Sequence, residues 1–553
     1  MAHASAEERR RFFRSAGMVS AAVALSRITG VVREVVMARL FGAGEVYDAF
    51  LLGVRIPNLT RNLFAEGALS SAFVPVFTQY LVKGKREAAE LSNLVATALM
   101  LVVGAVCVVG IVFSPALVRM LAPGFEQVPG KFELTVTLTR VMFPFLVLVA
   151  LAAQAMGVLN ACDRYGVPAL ASTFFNIGSV VFGLALGYTV GRSFGQGLIV
   201  SMAFGVVAGG VMQLLWQAPS LKREGFSYRP RLDLSHPGLR QLGRLMLPAI
   251  LGNAAVQINV LVNTNFASSI TDAAGRVIDG PVSWLSFAFR FLQLPLGLFG
   301  VAIASATLPM ISRSAAAAKM DEFRATVTRS LGMVLLLTIP SSVGLAVMGR
   351  SMIAAVYQGG RFHEFDTEQT AVALACYSAG LAGYSAIKIL APAFYALDDA
   401  RTPMLVSAAS VAVNFAGAYL MVRRAGMGHA GLALATSLVA LFGAAALYAA
   451  LGRRVGGLQG RKLAGSAAKI AAAAALMGAL CRTSSWAIHL VLGARKPATL
   501  ADVAFSIPLG AAVFYAAARA LRIEELEAVR NACYTALRNA PRPEVGDPPA
   551  GNR

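Results

Sequence analysis

The stretch Leu94-Val-Ala-Thr-Ala-Leu-Met-Leu-Val-Val-Gly-Ala-Val-Cys-Val-Val-Gly-Ile-Val-Phe113 runs without one Asp, Glu, Lys, Arg or His. A hydrocarbon core of ~30 Å needs about 20 residues of helix, because each residue rises ~1.5 Å and every backbone N–H and C=O must be satisfied within the segment. An outer-membrane barrel strand would instead alternate polar and apolar residues over ~10 positions. Apolar runs of this kind recur from residue 15 to residue 521. Across the 553 residues, hydrophobic side chains make up 57% and charged ones 14%, against about 25% charged in a soluble domain. These figures exclude a soluble enzyme, a disordered chain and a collagen-like fibre. The fold class is an all-α polytopic membrane protein.

By the same ruler the chain carries about fourteen transmembrane helices. They fall near 15–41, 47–80, 91–118, 134–160, 168–190, 196–217, 241–270, 282–312, 323–348, 370–396, 402–422, 430–451, 464–489 and 499–521. Arg9, Arg10, Arg11 and Arg14 precede the first run. That run contains Arg27 and Arg33 and is followed by no small-x-small cleavage site, so an uncleaved first helix starting in the cytoplasm is expected. An even number of spans then puts both termini inside. On that topology roughly 28 Lys and Arg fall on inner segments and about 11 on outer ones, as cytoplasmic loops require. The net charge of +21 is thus explained by topology and anionic lipid, with no nucleic-acid motif to suggest another partner. Five scattered cysteines, the lack of a Gly-x-x-x-x-Gly-Lys-Ser/Thr phosphate loop and the lack of a His-Glu-x-x-His pair give no disulfide framework, ATPase site, metal site or cofactor.

The sequence repeats at long range. Ala72-Phe-Val-Pro75 returns as Ala306-Thr-Leu-Pro309, Asp163-Arg-Tyr-Gly-Val-Pro168 as Asp398-Asp-Ala-Arg-Thr-Pro403, and Gly195-Gln-Gly197 as His429-Ala-Gly431. The three pairs share one spacing, equal to within a single position. Two parallel six-helix repeats are expected, plus two extra C-terminal helices. The organisation is a tail at 1–14, a first lobe at 15–217, a cytoplasmic linker at 218–240, a second lobe at 241–451, appended helices at 464–521 and a tail at 522–553. Parallel repeats about an axis along the membrane normal are the symmetry of one class of alternating-access transporters, with the substrate between the halves. Ile523 to Arg538 fits a short amphipathic surface helix.

An ionisable residue at the bilayer centre costs about 2.5–3.5 kcal/mol. The first two spans nevertheless carry Arg27, Arg33, Glu34, Arg39, Asp48, Arg55, Arg61 and Glu66, the eighth adds Arg290, and the tenth adds Lys388. Such groups must face water, each other or a charged ligand. At about 100° per residue, Asp48, Arg55 and Glu66 lie within roughly 20° of one line. Pro57, followed by Asn58, is expected to break that helix and re-aim its second half. Arg55 and Arg290 stand apart by the same spacing as the repeated motifs. After pairing, Arg27, Arg33, Arg61 and Arg290 are left seeking anions, and guanidinium binds phosphate through two parallel hydrogen bonds. A diphosphate fits, as does any large anion; a permanent internal salt-bridge network is the competing explanation. Arg39 and Arg140, near helix ends, are expected to snorkel. Gly205-x-x-x-Gly209 points to close helix packing, and Asn176, Asn253, Asn259, Asn263 and Asn414 to interhelical hydrogen bonds. His429 is expected to be structural, and the Asp398-Asp399 pair to cap.

Ser26-Arg27-Ile-Thr-Gly30-Val-Val-Arg33-Glu34, Phe41-Gly-Ala-Gly44, Asp48-Ala-Phe50, Arg55-Ile-Pro57-Asn58 and Arg61-Asn-Leu-Phe64-Ala-Glu66-Gly67 resemble the first helices of the MurJ/MviN family. The resemblance continues through Leu294-Pro-Leu-Gly297, Lys388-Ile-Leu-Ala-Pro392 and Arg401-Thr-Pro403. It implies a lipid II flippase of the MOP exporter superfamily in the bacterial cytoplasmic (inner) membrane. It also implies a central cationic cavity and a substrate of undecaprenyl diphosphate bearing a disaccharide-pentapeptide. Carried over, the cavity arginines are Arg27, Arg33, Arg61 and Arg290 and the acidic partner is Asp48; Arg55, Asn58, Glu66 and Lys388 complete the expected substrate-binding set. Partners would be lipid II, membrane lipids and cell-wall synthesis proteins. The chain departs from the pattern at Phe289 and Gln293, where relatives carry acids. Where some members hold sodium, it reads Val262-Asn263-Thr264 and Asn414 to Ala418 without a carboxylate, so sodium coupling is not carried over. The alternatives are a flippase of another polyprenyl-diphosphate saccharide, a drug antiporter of the same superfamily, a polyprenyl-phosphate membrane enzyme and a non-transporting scaffold. A cationic-drug antiporter needs a negative cavity, and an enzyme needs acidic metal motifs.

Overall fold

Backbone groups in hydrocarbon are satisfied within a helix or a closed barrel, and the described residues take the first route. The computed structural model describes residues 6–61, 70–190, 197–493, 496–527 and 530, without the side chains of 6–18, 20, 60–61, 70–71 and 247–253. Nineteen α-helices are seen among them: α1 Ala6–Phe41, α2 Glu45–Arg61, α3 Ser70–Lys83, α4 Lys85–Val112, α5 Ser114–Leu121, α6 Lys131–Met142, α7 Phe145–Ala161, α8 Gly166–Thr189, α9 Leu198–Arg223, α10 Pro237–Ser268, α11 Pro281–Pro295, α12 Ala302–Ala316, α13 Met320–Val356, α14 Glu364–Ser378, α15 Leu381–Tyr395, α16 Arg401–Ala418, α17 Gly428–Val455, α18 Gly460–Leu492 and α19 Lys496–Ala520. No strand occurs among the described residues beyond two isolated bridges, Thr271 with Val277 and Gly359 with Phe362.

Ten helical segments are long and apolar enough to cross a bilayer, or eleven if α14 and α15, bent by 42°, form one span. Several boundaries differ from the sequence expectation. Helix α1 begins at Ala6, so the arginine-rich start is already helical. The third span ends at Val112, and Ser114 opens the separate α5. Pro115 has no N–H and its ring clashes with the carbonyl four residues back, which stops the helix there. Pro57 does not break α2, which runs on to Arg61. Between α11 and α12 the chain makes a π-turn, Leu296–Val301, directly after Pro295, a common relief for a proline-interrupted ladder.

The chain folds into two compact units. The first comprises Met1–Arg290, Met352–Tyr377 and Met404–Val439; the second comprises Phe291–Ser351, Ser378–Pro403 and Ala440–Arg553. In the first, α8 lies on α9, α1 on α8, and α2 on α6. The α8–α9 approach rests on small residues: a Cβ on Gly205 would stand 2.3 Å from the Ser179 carbonyl oxygen, and one on Gly209 would stand 2.6 Å from that of Phe175. Asn176 ties α8 to α1 by donating to the Ser26 carbonyl at 3.2 Å and to Thr29 Oγ1 at 3.3 Å. In the second unit α18 lies on α19. Ile523 closes that pair, buried with Leu336, Ile470 and Ala518. Most of the helix expected over 523–538 lies outside the described residues.

Two turns share a backbone conformation. Asp163 has φ 59° and Asp398 has φ 56°, the left-handed region that Asp tolerates better than most residues. After each, the next N–H reaches back five residues, Arg164 to the Leu159 carbonyl at 2.8 Å and Asp399 to the Phe394 carbonyl at 3.0 Å. Asp399 also caps α16, accepting from the Thr402 N–H at 3.0 Å and Thr402 Oγ1 at 2.8 Å. These bonds, with Arg454 alongside, hold its carboxyl below the usual range.

The tight glycine contact should be visible in stability. Gly205→Val forces α9 off α8 and should cost about 1–3 kcal/mol, read as a lowered Tm of the detergent-solubilised protein. Gly104→Ala, with nothing within 4 Å of the added methyl, should leave Tm unchanged. Equal Tm values for the two variants would show that the helix contact is not tight.

Candidate functional site

Helix α1 brings three ionisable groups into one part of the first unit. Arg27 is exposed and has no hydrogen bond or ion pair among the described residues. About 10 Å further along the axis, Glu34 is 13% exposed and receives several donors. Arg290 Nε of α11 stands 2.7 Å from Glu34 Oε1, Arg33 Nη2 stands 3.9 Å from the same oxygen, and the Tyr357 hydroxyl donates to Oε2 at 3.2 Å. Arg33 also lies over the Phe175 ring, 5.4 Å from its centroid. Arg290 remains half-exposed at 49%. Glu34 thus meets two guanidiniums, and Arg27 lies further back on the same helix. Arg290, expected to be seeking an anion, already has one in Glu34. Phe289, beside it, packs edge-on to Tyr377 at 5.4 Å.

Next to this cluster the chain is dry. Tyr47 stacks on Phe287 at 5.2 Å, and Phe287 meets Tyr357 at 4.7 Å and Phe362 at 5.4 Å. The Arg361 N–H donates to the Arg39 carbonyl at 2.9 Å, while the Arg39 side chain is exposed as expected for a helix-end arginine. A Cβ on Gly42 or Gly360 would collide with backbone at 2.4 or 2.2 Å, and both have positive φ, so glycine is required at each.

Beyond the aromatic layer lies an ionic lock. Asp48 is 1% exposed, and its carboxylate accepts four hydrogen bonds. Lys131 Nζ and the Gly280 N–H reach Oδ2 at 3.1 and 2.8 Å, and the Ser283 N–H and Oγ reach Oδ1 at 2.9 and 2.6 Å. The last three come from the first turn of α11, whose unpaired N–H groups and positive dipole end favour a carboxylate. Lys131, wholly buried, also bonds Asp279 Oδ1 at 2.6 Å and lies over Phe125 at 4.1 Å. Sequence reading missed Lys131, because the apolar ruler starts its span at residue 134 and leaves the lysine in a loop.

The remaining expected residues are dispersed. Arg55 donates to Thr264 Oγ1 of α10 at 2.7 Å. Asn58 Oδ1 is buried with no hydrogen-bond partner among the described residues. The side chain of Arg61 and all of Glu66 lie outside the described residues. Lys388 belongs to the second unit and is exposed on α15. Arg140 is exposed, and its Nε donates to Ser114 Oγ at 3.0 Å and the Ile111 carbonyl at 3.3 Å. His429 is structural, bonded to the Gln369 carbonyl at 3.0 Å beside Trp284.

The intramembrane asparagines form a neutral network. Asn259 donates to Ser410 at 3.2 Å, Asn263 to Thr436 at 3.0 Å, and Asn414 to Asn263 Oδ1 at 3.0 Å. No carboxylate takes part, and no group of three or more His, Cys, Asp or Glu suited to a metal ion occurs among the described residues. The Asn253 side chain is outside the description.

Known proteins share this sequence and this architecture. The family model described as "Lipid II flippase MurJ" matches residues 37–509. A "Probable lipid II flippase MurJ" of Vibrio cholerae is 35% identical over 491 residues, covering 85% of this chain and 89% of that protein. A "Lipid II flippase MurJ" of Burkholderia cenocepacia is 34% identical over 447 residues, covering 80% and 84%. Among solved structures, "Lipid II flippase MurJ, inward closed conformation" superposes with a TM-score of 0.72 at 24% identity, covering 91% of this chain and 99% of that one. An inward-facing MATE family transporter of the MOP superfamily superposes at 0.60 and 13% identity, covering 79% and 94%; these two likenesses concern the fold. With a family model over most of its length and two relatives this similar across most of theirs, the chain belongs to the lipid II flippase MurJ family.

Proposed function

We propose that this protein is a flippase that carries lipid II, an undecaprenyl-diphosphate-linked disaccharide-pentapeptide, from the inner to the outer leaflet of the bacterial cytoplasmic membrane for cell-wall synthesis. The relatives named as lipid II flippases support the substrate. The observation that carries the chemistry is that three guanidiniums of one part of the first unit keep solvent exposure, Arg27 as an exposed side chain and Arg33 and Arg290 in part beside Glu34. A diphosphate offers more acceptor oxygens and more charge than one carboxylate. It can therefore draw Arg33 and Arg290 away from Glu34 and recruit Arg27. In its absence Glu34 keeps the two cations oriented and limits their mutual repulsion. After delivery the same carboxylate competes for the arginines and helps release.

The topology we infer has fourteen spans, with both termini cytoplasmic, lobes at 15–217 and 241–451 joined by the linker 218–240, and appended helices at 464–521. The matched left-handed turns at Asp163 and Asp398, set apart by the repeat spacing, support two parallel repeats. With the N-terminus inside, the far end of α1 is the outer end. The Asp48 lock and the aromatic layer then close the outer side, and the arginines belong to a cleft open inward. Translocation requires α11 to leave Asp48, giving up three of its four bonds, while the halves rock about the site. The isoprenoid tail stays in lipid, beside the appended helices. Membrane potential acting on the arginines would supply ~2.3 kcal/mol per charge per 100 mV.

Two outcomes are expected. In cells depleted of the protein, lipid II accumulates on the inner leaflet and wild type restores translocation, whereas Arg27→Ala, Arg33→Ala and Arg290→Ala each fail. Lysine at these positions restores charge without the bidentate geometry and should recover only part. Normal translocation by all three alanine variants refutes the site. For the lock, Asp48→Asn weakens charge-assisted bonds worth about 1.5–3 kcal/mol each. The labelling rate of a Phe287→Cys reporter by an impermeant maleimide from outside should then rise roughly tenfold or more. An unchanged rate would mean that Asp48 does not hold that end shut.

A further inference from the structure

Helices α13, α18 and α19 meet at a buried acid that the flippase reading leaves unused. Asp502 lies in α19, about 9 Å along the helix from its start, and is 0% exposed. Three hydroxyls from three helices converge on it. Ser351 of α13 and Ser485 of α18 donate to Oδ2 at 2.6 and 2.7 Å, and Ser506 of α19 donates to Oδ1 at 2.7 Å. Ser506, its hydrogen committed, accepts in turn from Ser484 at 2.9 Å. The basic group that faces the carboxylate is His489 of α18, whose Nδ1 stands 3.8 Å from Oδ2 with the side chain 25% exposed. The other ionisable group in electrostatic reach is Cys481, further back on α18; α13 brings Ser351, with Arg350 preceding it in the chain.

The hydrogen-bond pattern fixes what His489 can do. Its Nδ1 lies 2.9 Å from the Ser485 carbonyl. A carbonyl only accepts, so Nδ1 carries a hydrogen, and Nε2 is the nitrogen left to gain or lose one. The hydroxyls are equally adaptable. Each donates to a carboxylate as found, but can turn to its own helix carbonyl and accept from a carboxylic acid instead. The pocket can therefore hold Asp502 with or without a proton and keep every polar atom bonded. Hydroxyls solvate the anion without cancelling its charge, whereas one proton cancels it, and intramembrane acids carry that role in pumps and transporters.

We propose that Asp502 and His489 form a binding site for one exchangeable proton at the junction of α13, α18 and α19. Water delivers the proton to Nε2 of His489, giving an imidazolium beside the carboxylate. Alternatively the proton sits on an Asp502 oxygen, giving a neutral acid beside a neutral imidazole, with the Nδ1 hydrogen still directed to the Ser485 carbonyl. Proton uptake turns the Ser351 hydroxyl from donor to acceptor and so alters the bond between α13 and the α18–α19 pair. The site goes beyond the transport reading and its test does not rest on it.

The full-length protein in lipid nanodiscs is treated with dicyclohexylcarbodiimide, which adds to protonated carboxylic acids in apolar surroundings. The acid hydrogen goes to a carbodiimide nitrogen and the carboxyl oxygen to its carbon, before rearrangement to a stable acylurea. Mass spectrometry of the peptide carrying residue 502 should show the adduct, with a rate that falls as the pH rises. Asp502→Asn, which keeps the hydroxyl partners, should show none, and His489→Gln should alter the dependence of that rate on pH. No adduct at any pH, or labelling indifferent to pH, overturns the site. An unchanged pH dependence in His489→Gln overturns the shared proton, and protection by sodium at fixed pH would show a metal cation as the ligand instead.

Discussion

A charge cannot be left facing hydrocarbon, and this constraint decides where every ionisable group of the spans goes. An uncompensated ion there costs several kcal/mol, and breaking a buried pair leaves a penalty of similar size. The structure meets the constraint in three ways. Asp48 is saturated by a lysine and by the start of α11. Glu34 divides itself between two guanidiniums that stay partly exposed. Asp502 is surrounded by hydroxyls instead of cations. The first arrangement is sealed from solvent, the second keeps its cations partly exposed, and the third is the one we propose can change its own charge.

That difference separates architecture from binding. Asp48 and Arg55 share one face of α2, yet Asp48 is sealed and Arg55 is spent on Thr264. Arg27, Arg33 and Arg290 keep exposure that a purely structural network would not need. An anion arriving there finds donors already aimed, and the ordering cost has been met in folding.

The helical class is legible because long unbroken apolar runs have no other stable state in a bilayer. Asp163 and Asp398, matched positions of the expected repeat, share a left-handed turn that has a local cause. Close packing at Gly205 and the bonding of Asn176, Asn259, Asn263 and Asn414 also follow from residue type. What cannot be read is pairing between distant segments. Lys131 meets Asp48 and Asp279, each far from it along the chain, and nothing in its neighbourhood announces burial. Asp502 sits near the start of a span, where an acid is normally solvated, and only the approach of α13 and α18 makes it buried. Pro57 departs from expectation for the same reason: a proline breaks a helix unless its surroundings hold it straight.

The lysine at position 131 has one more consequence. It belongs to a helix packed on α2, so when α11 departs, Asp48 and Lys131 stay behind together as a neutral couple. Were α11 to move, the carboxylate given up would be Asp279, already 38% exposed, and its charge would travel with the helix. The transmembrane field would then act on that one carboxylate of the lock as well as on the guanidiniums.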